Sequence, residues 1–186
     1  FAGFIDPALA AGVFANPKVC FGGSGRPSGR AEWIGDGYRI SGSWKYATGT
    51  PHLTHFTLNA FLFKDGVALL DSDGNPQYSS FFIDRDDVLM EYDWDTFGLE
   101  ATASHSFSVV ELLVEPNRAF TLAPEARKSE SLIYKYPFIS FAEATLCVNY
   151  MGMFARFLAV VEKEFLRRAA DSVWNRDFGK SYLQEL

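Results

Sequence analysis

The feature that most constrains this fold is the alternation of short strand-forming runs with turn residues between residues 18 and 115. Residues 32–34 and 38–40 flank Gly35-Asp36-Gly37, which is a typical hairpin signal. Further runs rich in aromatic and aliphatic residues lie at 55–63, 79–83, 88–90 and 106–114. Several short strands with such turn signals predict a mainly antiparallel β-barrel or β-sandwich.

Helical signals lie on both sides of this β region. Asp6-Pro7 is a typical first-turn pair, and Asn16-Pro17 ends the short helix that we predict before it. After a polar linker, Pro137 opens a long apolar helix that we expect to reach about Ser172. We therefore predict an α+β chain in four parts: the end of a helical segment at 1–16, a β-domain at 17–118, a linker at 119–136 and the start of a helical bundle at 137–186.

Charge and cysteine content exclude some classes of function. The 17 Lys and Arg residues are outnumbered by 23 Asp and Glu residues, which gives a net charge of −6. Because affinity for phosphates depends on a basic surface, we expect no nucleic-acid binding. Cys20 and Cys147 lie far apart in sequence, which predicts no disulfide framework and favours a cytoplasmic location.

The long C-terminal helix has the length of a membrane span. Its apolar run is interrupted by Glu143, Asn149 and Arg156, and such polar residues are costly in a bilayer. We therefore expect a bundle helix that is buried on several sides, and no membrane partner.

The histidines and the acidic loop do not predict a metal site. His52 and His55 lie three residues apart, a spacing that suits a helix better than the strand or loop predicted there, and no Cys or carboxylate joins them at ligand spacing. Asp71, Asp73 and Asn75 alternate as in a calcium loop, but Gly74 is misplaced and the downstream Glu is missing. We predict a solvated hairpin turn for residues 71–76.

Two segments carry a resemblance to a known family. The first, residues 37–49, contains Gly37, Tyr38, Gly42, Tyr46 and Thr48 in a strand–corner–strand pattern. The second, residues 97–116, begins Phe-Gly-Leu-Glu and ends Val-Glu-Pro. Together they resemble the central β-domain of the acyl-CoA dehydrogenase superfamily of flavoproteins, over roughly residues 1–160.

This resemblance implies a flavin-side role for Tyr46 and Thr48. Tyr46 falls at the Trp of the family's Trp-Ile-Thr motif, and Thr48 falls at its Thr. The resemblance places the aromatic ring near the isoalloxazine and the Thr at the ring's polar edge, with FAD or FMN as the cofactor. A flat ring needs an apolar face, and its polar edge needs groups that fix its orientation.

The glycine-rich stretch at residues 20–29 stands where the family has a longer Thr-Glu-Pro-Gly-Ala-Gly-Ser-Asp loop. We expect a turn in which Gly23 and Ser24 help to bind the cofactor, because glycine allows close backbone approach and Ser24 offers a hydroxyl. The stretch is shorter than the family's loop and lacks its acidic residue. In this respect it is closer to the flavin-dependent monooxygenases that share the fold.

The resemblance implies α,β-dehydrogenation of an acyl thioester, with an acyl-CoA as the small-molecule substrate and a homo-oligomer as the assembly. The alternatives are a reduced-flavin-dependent monooxygenase of the same fold, or a β-domain that no longer binds flavin.

No catalytic residue is assigned. Ser104 and His105 are neighbours on a predicted strand, so their side chains point to opposite faces and do not form a nucleophile–base pair. Near the C-terminus, residues 176–179 are close to the family's Arg-x-x-Phe-Gly but one residue short, and we interpret this as coincidence.

Overall fold

The computed structural model describes residues 1–171, and the chain divides into two units. The first unit, Phe1–Lys135, contains a short helix and a sheet, and the second begins at Tyr136 with a long helix. The elements are α1 (Pro7–Phe14), β1 (Phe21–Trp33), β2 (Tyr38–Ala47), β3 (His55–Lys64), β4 (Val67–Ala68), β5 (Tyr78–Asp84), β6 (Leu89–Glu91), β7 (His105–Val114), β8 (Ala119–Phe120) and α2 (Phe138–Asp171). The finer four-part division stays a prediction.

The eight strands form one mixed sheet in the order β6-β7-β2-β1-β3-β5-β8, with β4 beside β3. Only β1 and β3 pair in parallel, so the expected antiparallel character is confirmed for the other pairs. The sheet is not closed into a barrel. The parallel pair arises because the connection after β2 crosses to the far side of β1 instead of making a hairpin. Turn residues indicate where the chain reverses direction locally, but they do not predict such a crossover.

The hairpin predicted around Gly35-Asp36-Gly37 joins β1 to β2, with Trp33 paired to Tyr38. The turn predicted over the glycine-rich stretch is wrong, because those residues form the first half of β1. There, Gly22 pairs with Phe56 of β3, and the register is irregular between Gly23 and Pro27. Irregular register is the usual way in which a strand accommodates glycine and proline.

The core of the first unit is largely aromatic. Trp44 and Phe107 stack with ring centroids 5.4 Å apart, and the Trp44 indole donates to the Asn59 carbonyl at 2.8 Å. The other large, fully buried side chains of this cluster are Ile40, Phe56, Leu58, Phe81, Ile83 and Val109. Aromatic side chains thus supply much of the packing between sheet residues.

Helix α1 packs beside a second, smaller cluster of Ile5, Phe82 and Phe120. The Asp6 carboxylate accepts hydrogen bonds from the backbone N–H groups of Ala8 and Leu9, each at 3.0 Å. This cap satisfies two donors that a helix start leaves without partners, as the Asp-Pro pair predicts.

Helix α2 spans 34 residues and carries many large apolar side chains that are exposed in the described chain, among them Ile139, Leu146, Phe154 and Phe157. By length and composition, the stretch Phe138–Arg168 could cross a membrane. The same features suit a helix within a helical bundle, so a single such helix is weak evidence for a membrane span.

The acidic loop is a turn, as predicted. One oxygen of the Asp71 carboxylate accepts from the backbone N–H groups of Asp73 and Asn75, at 2.9 and 2.8 Å. Within residues 1–171 no group of three His, Cys, Asp or Glu side chains could hold a metal ion. The segment 176–179 lies outside the described residues.

Candidate functional site

The end of β2 is built around an irregularity that brings Tyr46 to the surface. The pairing of β2 with β7 shifts register between Trp44 and Ala47, and Tyr46 has a left-handed φ of 65°. Trp44 and Ala47 are buried, at 1% and 0% exposure, whereas Tyr46 is 70% exposed. Strict alternation would put Trp44 and Tyr46 on the same face. The extra residue separates them, so the Tyr46 ring is free to meet a ligand.

Thr48 lies two residues after Tyr46, beyond the buried Ala47, and is also exposed. The start of β1 lies beside it, because a Cβ added at Gly22 would stand 3.2 Å from the Thr48 carbonyl oxygen. A Cβ at Gly23 would stand only 1.9 Å from the carbonyl oxygen of Thr57 on β3. Packing between strands therefore already requires glycine at position 23. Contact of Gly23 and the half-buried Ser24 with a cofactor stays a prediction.

Sequence reasoning missed Trp94, which forms one side of the site. Its ring meets that of Tyr46 edge to face, with centroids 6.1 Å apart. The Trp94 backbone N–H donates to Nδ1 of His105 at 2.9 Å, and its indole N–H donates to the Leu99 carbonyl at 3.2 Å. The available signal was position: Trp94 comes shortly before the Phe-Gly-Leu motif that carries half of the family resemblance.

The residue before Trp94 fixes this segment to β7. One oxygen of the Asp93 carboxylate accepts from the Ser106 backbone N–H at 2.7 Å, and the other accepts from the Ser106 hydroxyl at 2.6 Å. These two hydrogen bonds, led by that of the hydroxyl, hold the pKa of Asp93 below its ordinary value. The ionised carboxylate thus clamps the Trp94 segment against the strand.

Three hydroxyl groups, which we call the hydroxyl cluster, meet beside Tyr46: those of Thr48, Thr102 and Ser104. The Ser104 Oγ lies 2.9 Å from Thr48 Oγ1 and 2.9 Å from Thr102 Oγ1. A backbone hydrogen bond of 2.8 Å from the Gly49 N–H to the Thr102 carbonyl holds the two segments together. The structure thus joins both halves of the sequence motif in one place.

Ser104, which precedes β7, and His105, which begins it, make their hydrogen bonds to different groups. The Ser104 hydroxyl contacts the other two members of the hydroxyl cluster, whereas His105 Nδ1 accepts from the Trp94 backbone. Ser104 has 6% exposure, so its hydroxyl is directed into the protein. The serine holds its neighbours in place.

Left-handed backbone conformations concentrate at this site. Tyr46, Leu99 and Ala103 have positive φ angles of 65°, 53° and 42°. Among the described residues other than glycine, only Asp65 and Glu111 share this property. Such conformations cost free energy for residues with a Cβ and persist where surrounding contacts enforce them, often at functional sites.

The residues present fit the edge of a flavin ring. Tyr46 offers an exposed aromatic surface, and Thr48 offers a hydroxyl whose position is fixed by a buried partner. An aromatic face next to fixed hydrogen-bonding groups is what an orienting site for a planar heterocycle needs.

Comparisons with known proteins give monooxygenases as sequence relatives. The chain is 28% identical over 142 residues to the indole-3-acetate monooxygenase of Pseudomonas putida, covering 76% of this chain and 34% of that protein. It is 26% identical over 134 residues to the flavin-dependent monooxygenase, oxygenase subunit HsaA, of Rhodococcus jostii (strain RHA1), covering 68% and 33%. Both relatives are named monooxygenases, and HsaA is named a flavin-dependent one. The chain spans about a third of the length of these curated relatives, and no protein-family model matches it.

Solved structures extend the comparison. The fold matches the 3-HSA hydroxylase from Rhodococcus sp. RHA1 with a TM-score of 0.81 at 22% identity, over 96% of this chain and 46% of that one. XiaF from Streptomyces sp., whose structure contains FADH2 and glycerol, matches with a TM-score of 0.53 at 28% identity, over 63% and 28%. These neighbours have the fold of the acyl-CoA dehydrogenase superfamily. The names of the sequence relatives favour the monooxygenase alternative over acyl-CoA dehydrogenation.

Proposed function

We propose that this chain supplies the flavin-side wall of a reduced-flavin-dependent monooxygenase that acts on a small organic molecule. The observation that carries the proposal is the exposed Tyr46 ring beside the fixed Thr48 hydroxyl, at the two positions that the family resemblance assigns to the flavin. The names of the sequence relatives support the reaction class. A bound reduced flavin would supply the two electrons that activate O2.

The chain's own residues would orient the cofactor. The Tyr46 ring would pack against the flavin, and the contact between Tyr46 and Trp94 limits how far that ring can turn. Thr48 would hold the polar edge of the ring through its hydroxyl. Because Ser104 is buried and joined to Thr48, the position of this hydroxyl is set before the cofactor arrives. FAD and FMN share this ring, so both are candidates.

Acyl-CoA dehydrogenation ranks second. That reaction requires a base for the α-proton, and no residue of the described chain is assigned to that role. Neither relative named above is named for an acyl-CoA. A β-domain that binds no flavin ranks third.

The experiment uses the full-length protein that carries this chain. Anaerobic titration with FAD, FMN and their reduced forms measures binding, with Tyr46→Ala as the test variant. Tyr78→Ala is the matched control, because Tyr78 is an exposed tyrosine on β5, at 54% exposure. We expect tight flavin binding by the wild type and the control, and weaker binding by Tyr46→Ala.

Two further additions separate the candidate reactions. Addition of O2 to the reduced complex, with indole-3-acetate and simple phenols as trial substrates, should give hydroxylated products. Anaerobic addition of short- to long-chain acyl-CoAs to the oxidised complex should leave the visible flavin band unchanged. Bleaching of that band would establish the dehydrogenase instead. A complete lack of flavin binding would support the third candidate, a β-domain that no longer binds flavin.

A further inference from the structure

The hydroxyl cluster has a fixed hydrogen-bond direction. Thr102 Oγ1 lies 2.8 Å from the Leu99 carbonyl oxygen, which can only accept. A hydroxyl has a single hydrogen, and Thr102 uses it in this bond. In the contact between Ser104 and Thr102, Ser104 must therefore be the donor. The Ser104 hydrogen is then used as well, so Thr48 must donate to Ser104.

This chain of hydrogen bonds ends at the Leu99 carbonyl, which is held in place by further contacts. The Leu99 carbonyl also accepts from the Thr102 backbone N–H at 3.0 Å and from the Trp94 indole N–H at 3.2 Å. Left-handed residues on both sides, Leu99 and Ala103, hold the short turn Glu100–Thr102 between them. Ser104 is 6% exposed, so water has little access to reverse the direction.

Thr48 is the only exposed member of the hydroxyl cluster, and its hydrogen points inward to Ser104. Toward a ligand at the surface, its oxygen therefore offers lone pairs and no hydrogen. A ligand atom facing Thr48 is held if it carries an N–H or O–H group. A ligand atom that can only accept meets a second acceptor, and the two repel each other.

We infer that Ser104 is a positioning residue that makes Thr48 an obligate hydrogen-bond acceptor, so that the site favours reduced over oxidised flavin. The inference rests on the proposed function, which places the polar edge of the flavin at Thr48. At that edge, N5 of the reduced ring carries a hydrogen, whereas N5 of the oxidised ring is an acceptor. The two redox forms thus differ at the atom that the orientation of Thr48 distinguishes.

The test measures the ratio of Kd for oxidised FAD to Kd for reduced FAD, under anaerobic conditions in the full-length protein. Ser104→Ala frees the Thr48 hydrogen, so this ratio should fall by about two- to tenfold, the value of one net hydrogen bond. Ser104→Thr keeps the hydroxyl and should retain most of the wild-type ratio. A purely structural role for Ser104 would weaken both redox forms equally and leave the ratio unchanged, which would overturn the inference.

A second variant keeps the test valid if Ser104→Ala fails to fold. Thr102→Val preserves shape and removes the acceptor for Ser104, which can then donate to Thr48 and release the Thr48 hydrogen outward. The ratio should fall here too. An unchanged ratio in folded Thr102→Val would count against the proposed direction.

A flavin analogue tests the atom itself. In 5-deaza-FAD a carbon replaces N5, so neither redox form donates or accepts a strong hydrogen bond there. Wild type and Ser104→Ala should then give equal ratios, and a persisting difference would overturn the assignment to N5. If the wild type binds neither redox form of FAD, the proposed function fails. If it binds both and Ser104→Ala keeps the wild-type ratio, only the present inference fails.

Discussion

Trp44 and Tyr46 are two residues apart on β2, yet Trp44 is 1% exposed and Tyr46 is 70% exposed. The register shift between Trp44 and Ala47 inserts the extra residue that separates them. One ring thus completes the core, and the other remains on the surface next to Thr48. The two aromatic residues should therefore respond to substitution in opposite ways.

Tyr46→Ala should weaken flavin binding because it removes a contact between aromatic rings, which contributes about 0.5–1.5 kcal/mol in addition to the burial of apolar area. The free energy of unfolding should be nearly unchanged. Trp44→Ala should instead lower the free energy of unfolding by about 3–5 kcal/mol, because it opens a cavity in a packed core. Thermal melts and flavin titration of both variants check this. A large drop in Tm for Tyr46→Ala would show that this ring supports the fold and would exclude the proposed site.

Gly29 and Gly25 provide a second matched pair, both on β1. A Cβ at Gly29 would lie 2.2 Å from a ring carbon of Trp44, whereas a Cβ at Gly25 would meet nothing within 4 Å. Gly29→Ala should therefore destabilise the protein by about 1–3 kcal/mol through overpacking. Gly25→Ala should be neutral, or stabilising by up to about 1 kcal/mol through the unfolded state. Urea denaturation measures the free energy of unfolding of both variants. Equal changes in the two variants would contradict the packing around Trp44.

His55 should make stability depend on pH. Burial lowers the pKa of His55 from its ordinary value and outweighs Asp84, which raises it, while Arg118 lowers it further. The His55 ring also stacks on Phe21, with centroids 4.7 Å apart. The folded state therefore binds this proton less readily than the unfolded state does.

The direction of the pH effect follows from this difference in proton binding. Stability should be fully retained above about pH 6.5, the unfolded pKa of histidine, and should fall as the pH drops below that value. His55→Gln should flatten this dependence, whereas Asp84→Asn should steepen it by removing the group that raises the pKa. Urea midpoints between about pH 5.5 and 8 measure the slopes. A stability that rises as the pH is lowered through this range would contradict the prediction.

Helix α2 should drive self-association. Phe154 and Phe157 are each 60% exposed, and apolar surface of this extent normally finds a partner. We expect a symmetric homo-oligomer by light scattering at micromolar concentration. Phe154→Glu with Phe157→Glu should weaken it, whereas Lys163→Glu, at an exposed polar position of the same helix, should not. A monodisperse wild-type monomer would contradict this prediction.

Local pattern was sufficient to predict most elements. The Asp6-Pro7 cap, the hairpin at Gly35-Asp36-Gly37 and the start of α2 near Pro137 all lie where the sequence predicts them. These features depend on contacts between residues close in sequence, such as the bonds from Ala8 and Leu9 to Asp6. Local pattern predicted a turn for the glycine-rich stretch, whereas the stretch forms a strand. The reason is that its strand partner, β3, begins 34 residues after Phe21.

The sequence by itself determined which residue types stand at Tyr46 and Thr48, and the family resemblance marked both as flavin-side candidates. Only the tertiary structure decided that Tyr46 is exposed, because that depends on an irregular register between β2 and β7. It also decided that Thr48 meets Ser104, which lies 56 residues away in sequence. Strand alternation and turn propensity describe neighbours along the chain, whereas hydrogen-bond direction in the hydroxyl cluster depends on which distant groups the sheet brings within 3 Å of one another.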